Sequence, residues 1–169
     1  MDTLQTKNNL SVREITSDAE LALFIQLLKA NNLPVSDLTP EIKKFILLEN
    51  DEIIGTGGLE TYGKMGLIRS VSVADTHKGK GYGKLITKAL ENAAKGLDIN
   101  DLYLLTTTAK DFFTKMNYML VNRADVPQDI QQTQQFSSLC PSTATIMKRN
   151  HPIIYKTIDF NDRISDSVS

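Results

Sequence analysis

Apolar residues along this chain change period several times, and each change marks an element. "SDAELALFIQLL" puts Leu21, Phe24, Ile25 and Leu28 on one helical face, with Ser17 and Glu20 at capping-box spacing before them, so a helix is predicted there. A short strand around Val12 to Ile15 precedes it. "NNLPVSDLTPE" is a stretch of turn formers, and "KFILLENDEIIGTGGLE" then reads as two β segments joined at Asn50 and Asp51, a hairpin. A turn near "TYGK" leads into the β-rich run "MGLIRSVSVA".

From Tyr82 the period becomes helical again. Leu85, Ile86, Ala89, Leu90 and Ala93 share one face, Lys84, Lys88, Glu91 and Lys95 the other, and Gly96 suits the stop. "DLYLLTTT" is the next strand, followed by a short helix in "AKDFFTKM" that buries Phe112 or Phe113 with Met116 and ends at Asn117. "YMLV" is a strand, Pro127 opens a short helix through "QDIQQTQ", and "STATIMKR" alternates well enough to close the sheet. With no repeat and no linker, the chain reads as one domain over residues 1–150 and a tail over residues 151–169. In that tail Ile153, Ile154, Tyr155 and Phe160 are positioned to dock on the domain or on a second subunit.

Composition narrows the partners. At 169 residues, with 41% hydrophobic and 23% charged residues, the chain is long enough for one core and ordinary for a globular protein. A formal net charge of −1 gives no field for nucleic acid or an acidic membrane surface, so any anion must be caught locally. The single cysteine, Cys140, excludes an internal disulfide framework, and the polar beginning lacks the regions of a secretory signal. No apolar run approaches the roughly 18 residues of a membrane span. These features together predict a cytoplasmic protein. No His/Cys/Asp/Glu cluster has metal-ligand spacing, so no metal is expected.

The local anion site is "HKGKGYGK", lying between the β run and the long helix. Amides at a helix start have no internal partner and carry the positive end of the dipole, and glycines let phosphate come close to them. Gly79, Gly81 and Gly83 supply the approach, while Lys78, Lys80 and Lys84 add charge. A P-loop does not fit, because Lys78 stands where its first glycine belongs and Leu85 where its hydroxyl belongs. A dinucleotide fingerprint would need glycine at Lys84 or Ile86.

"VSVADTHKGKGYG" resembles the signature of the GNAT superfamily of acetyl-CoA-dependent N-acetyltransferases, Gln/Arg-x-x-Gly-x-Gly/Ala after a strand closing in alternating valines, here Val71 and Val73. Lys78 stands at the Gln/Arg position, with Gly81 and Gly83 in the two small-residue places. "AKDFFTKMNYML" is similar to the superfamily's Phe-Tyr-x-x-x-Gly-Phe passage, with Asn117 in the glycine place. The resemblance implies an α/β (α+β) fold: a mixed, mostly antiparallel sheet of six to seven strands flanked by about four helices, splayed between the fourth and fifth strands. "QFSSLCPSTA" and "LYLLTTTAKDFF" further resemble the acetyltransferase-like proteins of bacterial arsenic-resistance operons.

What the resemblance implies is acetyl-CoA as co-substrate and a small-molecule amine as acceptor, an amino-acid-like toxin or an arsenical in that branch. Oligomeric state stays open between monomer and homodimer. The diphosphate would rest on Gly79 to Lys84, Tyr82 included, and the pantetheine arm along Val71, Ser72 and Val73, with Phe112 edging the channel. Val73 N–H would polarise the thioester carbonyl. The tyrosine that donates a proton in much of the superfamily is replaced by Phe113, leaving water, Tyr118, Cys140 or no protein acid. Glu60 is the candidate base and Tyr62 a second one. Arg69 either grips an oxyanion of the acceptor or sits in a structural ion pair, and Cys140 is a candidate substrate contact or a small buried hydrophobe. Phe113 also keeps open a second function, an acetyl-CoA-binding sensor without turnover.

Overall fold

The structure is a computed structural model that describes residues 9–139 and 143–149. The expectations for Cys140 and for the tail lie outside the described residues. Among the described residues, seven strands form one sheet: β1 (Leu10–Glu14), β2 (Lys43–Glu49), β3 (Glu52–Tyr62), β4 (Met65–Val73), β5 (Asp101–Thr106), β6 (Met119–Leu120) and β7 (Thr145–Arg149). Their spatial order is β1-β2-β3-β4-β5-β7-β6. Every neighbouring pair is antiparallel except β4 with β5, which runs parallel. The sheet is therefore of the mixed, mostly antiparallel kind expected. β7 does not close it, however, because it inserts between β5 and the short edge strand β6.

Among the described residues, four α-helices cover the two faces: α1 (Asp18–Ala30), α2 (Tyr82–Gly96), α3 (Lys110–Lys115) and α4 (Gln128–Gln131). Strand alternation assigns the faces. Leu47, Leu59, Ile68 and Leu104 pack with Leu85, Ile86 and Leu90 of α2 and with Phe113 and Met116 at α3. Ile46 and Leu48 meet Phe24 and Leu28 of α1 on the other face. Further along that second face, Leu67, Tyr103 and Leu105 meet Val126 and Ile130 near α4, with Phe136 beside them. A Cβ on Gly57 of β3 would lie 2.6 Å from Ile86 Cγ2, so glycine there lets α2 sit directly on the strand. Among the described residues, no helix is long and apolar enough to cross a membrane.

The expected capping of α1 is present with one variation. Ser17 Oγ accepts from Glu20 N at 3.2 Å, while the Glu20 carboxylate turns back to Thr16 N at 2.8 Å and to Arg13. Pro127 sits one residue outside α4, as its N-cap. The end of α2 departs from expectation. Gly96 is still helical, and the left-handed residue is Asp98 at φ +57°, with Ile99 N donating to Ala94 O and Asp98 N to Lys95 O. The same pair of bonds ends α1 at Asn32 and α3 at Asn117, whose φ values are +58° and +70°.

Candidate active site

β4 decides where the sheet opens. Gly58 faces Arg69 but Thr56 faces Ser72, so one residue on β3, Gly57, answers two on β4, Ser70 and Val71. The extra residue is Ser70, held at φ +57°. Thr56 Oγ1 donates to the stranded Ser70 carbonyl at 2.7 Å and lies 2.5 Å from Ser72 Oγ, which fixes the bulge from inside. β4 pairs with β5 only from Met65 to Ile68; beyond that the strands part. Ala74 N donates to Ile54 O at 2.8 Å, so alternation directs the Val73 and Val71 amides away from β3 into that gap.

Two adjoining cavities occupy the gap and share Phe112. The outer one, about 340 Å³, is lined by Val73, His77, Lys78, Gly79, Gly81, Tyr82, Gly83, Lys84, Lys115 and Met116 as well. Gly79 and Gly81 have φ values of +80° and +81°, and Gly81 is the N-cap of the fifteen-residue α2 with no side-chain cap. Among the described residues, the amides of Gly79, Gly81, Gly83 and Lys84 donate to no backbone carbonyl. They form a cradle of donors at the positive end of a helix. A Cβ on Gly83 would touch the Phe112 ring at 3.4 Å, which ties this turn to the channel wall.

Glu49 anchors the turn from β2. Its two oxygens meet His77 Nε2 at 2.7 Å and the Tyr82 hydroxyl at 3.0 Å. Thr76 Oγ1 lies 2.7 Å from His77 Nδ1, so both ring nitrogens of His77 have partners. Lys80 and Ser72 line neither cavity; Lys80 is exposed, and Ser72 is buried with Thr56. Lys78 lies 2.6 Å from Asp75 on the surface.

The inner cavity, about 240 Å³, is walled by Ile68 to Val71 of β4, Leu104 to Ala109 at and beyond the end of β5, Phe112 and Phe113 of α3, Asn32 to Pro34, and Gln135. Val71 therefore borders the inner cavity and Val73 the outer one. Among the described residues, Arg69 is the only ionisable one in this wall. Its fork is closed by Asp37, through Nη1 to Oδ2 and Nη2 to Oδ1, the latter at 2.6 Å, and its Nε donates to Ser70 Oγ at 3.2 Å. The side chain is 1% exposed. Of the two readings of Arg69, the ion pair is the one formed in this structure.

Glu60 and Tyr62 lie within β3, on the same face as Arg69, and line neither cavity. Glu60 Oε2 is 3.8 Å from Arg69 Nη1 and has no hydrogen bond among the described residues. Burial pushes the Glu60 carboxyl upward, with Arg69 pulling it down and Asp37 adding to the rise. The Tyr62 hydroxyl is pushed up to about 12, first by burial and then by the neighbouring Glu60. Lys44, buried beside them, donates to Thr39 O at 2.7 Å and Ile42 O at 3.0 Å. Burial and then the Arg69 charge hold its ammonium below the usual range.

Tyr118, one of the acid candidates, lines neither cavity. It is 1% exposed, and its hydroxyl donates to Glu91 Oε1 at 2.8 Å, behind Phe113. Phe113, 6% exposed, does border the inner cavity in the place where the resemblance implies a tyrosine. Sequence reading missed Asp37, Glu49, Lys115 and Gln135. Of these only Lys115 left a signal, three residues after Phe112 on the same short helix.

A sheet opened beside a bulged strand, with a donor cradle at one end of the gap and a small cavity at the other, defines an acyl-coenzyme-binding architecture. The family model described as Acetyltransferase (GNAT) family matches residues 10–118, and the chain belongs to that family. An amino-acid acetyltransferase from Ralstonia nicotianae is 30% identical over 95 residues, covering 54% of this chain and 21% of that protein. The match thus spans about a fifth of that relative's length. The crystal structure of N-acetylglutamate synthase from Neisseria gonorrhoeae complexed with coenzyme A and L-arginine superposes with a TM-score of 0.71 at 17% identity, covering 86% of this chain and 34% of that one. A Mycobacterium tuberculosis protein crystallised with CoA gives a TM-score of 0.68 at 17% identity, covering 83% and 98%. At such identity these structures establish the shared fold.

Proposed function

We propose that this chain transfers the acetyl group of acetyl-CoA to the amine of a small, amino-acid-like molecule. The observation that carries the reading is the open β4 edge, running from the unpaired amides of the glycine turn to the inner chamber. Acetyl-CoA supplies the acetyl group as a thioester; binding and orientation fall to the residues of the chain. The amides of Gly79 to Lys84, with Lys78 and Lys84 beside them, would hold the diphosphate. Lys80 would act only through its longer-range charge.

Val71 and Val73 would bind the pantetheine arm through the amides that alternation turns into the gap, and Phe112 would hold its flank where the two cavities meet. Polarisation of the thioester carbonyl, first assigned to Val73 N–H, suits Val71 N–H as well, since Val71 borders the inner chamber. The amine nitrogen forms a bond to the acetyl carbon as the carbon–sulfur bond breaks; one proton leaves nitrogen and one ends on the thiol. Glu60 is the proposed base, reaching the amine through one water past Arg69, with Tyr62 setting its position.

A chamber of about 240 Å³ is smaller than sites enclosing drug-sized ligands, about 300–1,000 Å³, which favours a small acceptor. The printed activity of the Ralstonia relative favours an amino acid. The "QFSSLCPSTA" resemblance adds an amino-acid-like toxin or an arsenical as acceptor, and a Cys140 contact, to the same proposal. A second reading, an acetyl-CoA sensor without turnover, draws on the absence of any carboxylate, imidazole, thiol or phenol among the described residues lining the chamber.

Calorimetry with acetyl-CoA, followed by thiol release across L-amino acids and aliphatic amines, separates the two. Transfer predicts binding and acceptor-dependent CoA release, and the sensor predicts binding alone. Absence of binding by folded protein sinks both. Gly81→Val, which forces a branched residue to φ +81°, is expected to abolish the binding heat.

A further inference from the structure

We infer that Gln135 selects the acceptor, its side-chain oxygen receiving a hydrogen bond from the amine that is to be acetylated. This rests on the acetyl-transfer reading above and adds a residue outside the span matched by the family model.

Gln135 opens the helical turn Gln135–Leu139, next to Phe136, which packs near α4, and it lines the inner chamber. It is 5% exposed, and its Oε1 is buried with no hydrogen-bond partner among the described residues. Buried amide oxygens are nearly always satisfied, because leaving one unmade lowers stability. A group kept in that state inside a chamber is fitted to a partner that arrives with a ligand.

Of the other polar side chains in the wall, those of Asn32, Thr107 and Thr108 are exposed to solvent, and the more buried ones are engaged. Arg69 is closed by Asp37, Ser70 Oγ accepts from Arg69 Nε, and Thr106 Oγ1 accepts from Thr108 N at 3.4 Å and Ala109 N at 2.9 Å. Among the described residues lining the chamber, Gln135 Oε1 is therefore the buried side-chain acceptor still open. Its complement must be a donor, and the acceptor's amine is the donor that the reaction requires in this chamber. An uncharged amide oxygen also suits the step, since it can hold a neutral amine without favouring the unreactive ammonium as a carboxylate would.

Gln135→Met keeps the length of the side chain and removes its polar atoms. The acceptor kcat/KM, measured with the L-amino acid or amine giving the fastest CoA release in wild type, is expected to fall about tenfold, the worth of one good hydrogen bond. The KM for acetyl-CoA and the calorimetric affinity should stay unchanged. The Tm of the free protein should hold or rise, because an unsatisfied buried atom has been deleted.

A purely structural glutamine would lower the Tm instead, and that result overturns the inference. So does an acceptor kcat/KM equal to wild type in the variant. If Gln135→Met fails to fold, Gln135→Leu gives the same readout, and a second failure assigns Gln135 a structural role. Wild type that binds acetyl-CoA yet acetylates nothing overturns the functional reading and this inference together. An active wild type with an equally active variant overturns this one alone.

Discussion

Glu60 bears a charge that its surroundings oppose. Burial dominates the upward shift of its carboxyl, and the neighbouring Arg69 only partly offsets it, because that guanidinium already serves Asp37. A carboxyl whose folded pKa is raised contributes stability below its ordinary range and loses it as pH rises through the folded value. Glu60→Gln should therefore flatten the decline of Tm between weakly acid and neutral pH, leaving the neutral Tm equal to or above wild type. If Glu60 is the base, kcat should drop by about 10² or more in the same variant. A lower neutral Tm with full activity would contradict both statements. Arg69 shows how far single residues were legible. A charge in an apolar strand demanded a partner, but Asp37 lies 32 positions earlier in an irregular loop without periodicity. Glu49 was hidden for a similar reason: in sequence it is the polar end of a strand, and only the fold brings it beneath His77 and Tyr82.

At the level of elements, three helix ends use one device. Asn32, Asp98 and Asn117 each adopt left-handed backbone where glycine is the least strained choice. This accounts for Asn117 in the glycine place of the family passage, since asparagine tolerates that conformation better than most residues. Aspartate tolerates it less comfortably. Asp98 is exposed, and Asp98→Gly is expected to raise stability by roughly 0.5–1 kcal/mol, read from denaturant midpoints at constant m. Period and punctuation were enough to place the helices and the hairpin. They misplaced the end of α2 because Gly96 looked like a cap, while the bonds closing the helix come from Asp98 and Ile99. The place of β7 between β5 and β6 is a long-range pairing, Leu102 with Arg149 and Met119 with Lys148, which no local pattern encodes. The one-residue bulge was an open alternative in the sequence, and Ser70 resolves it: Arg69 stays on the face of Glu60 and Asp37, while Val71 turns toward α2.

For the molecule as a whole, the parallel ladder of Met65 to Ile68 with Asp101 to Leu104 joins a four-strand half to a three-strand half. The long helix α2 packs across the first half and reaches Leu102 and Leu104 of the second. The amides of Val71 and Val73 face the space where β5 has turned away. Deuterium uptake measured at those two amides should be fast in the free protein and slow with acetyl-CoA, while Leu47 and Leu59, inside paired strands, change little. Equal uptake with and without ligand would mean that nothing extended lies along that edge.

One surplus residue in β4 has a mechanical consequence. Because Ser70 breaks the register, the valine rows meet no neighbouring strand on that side, and the fold ends up one ribbon short. An extended guest lying there would complete it and bridge the two halves, so occupancy should be felt as stiffness across the middle of the protein.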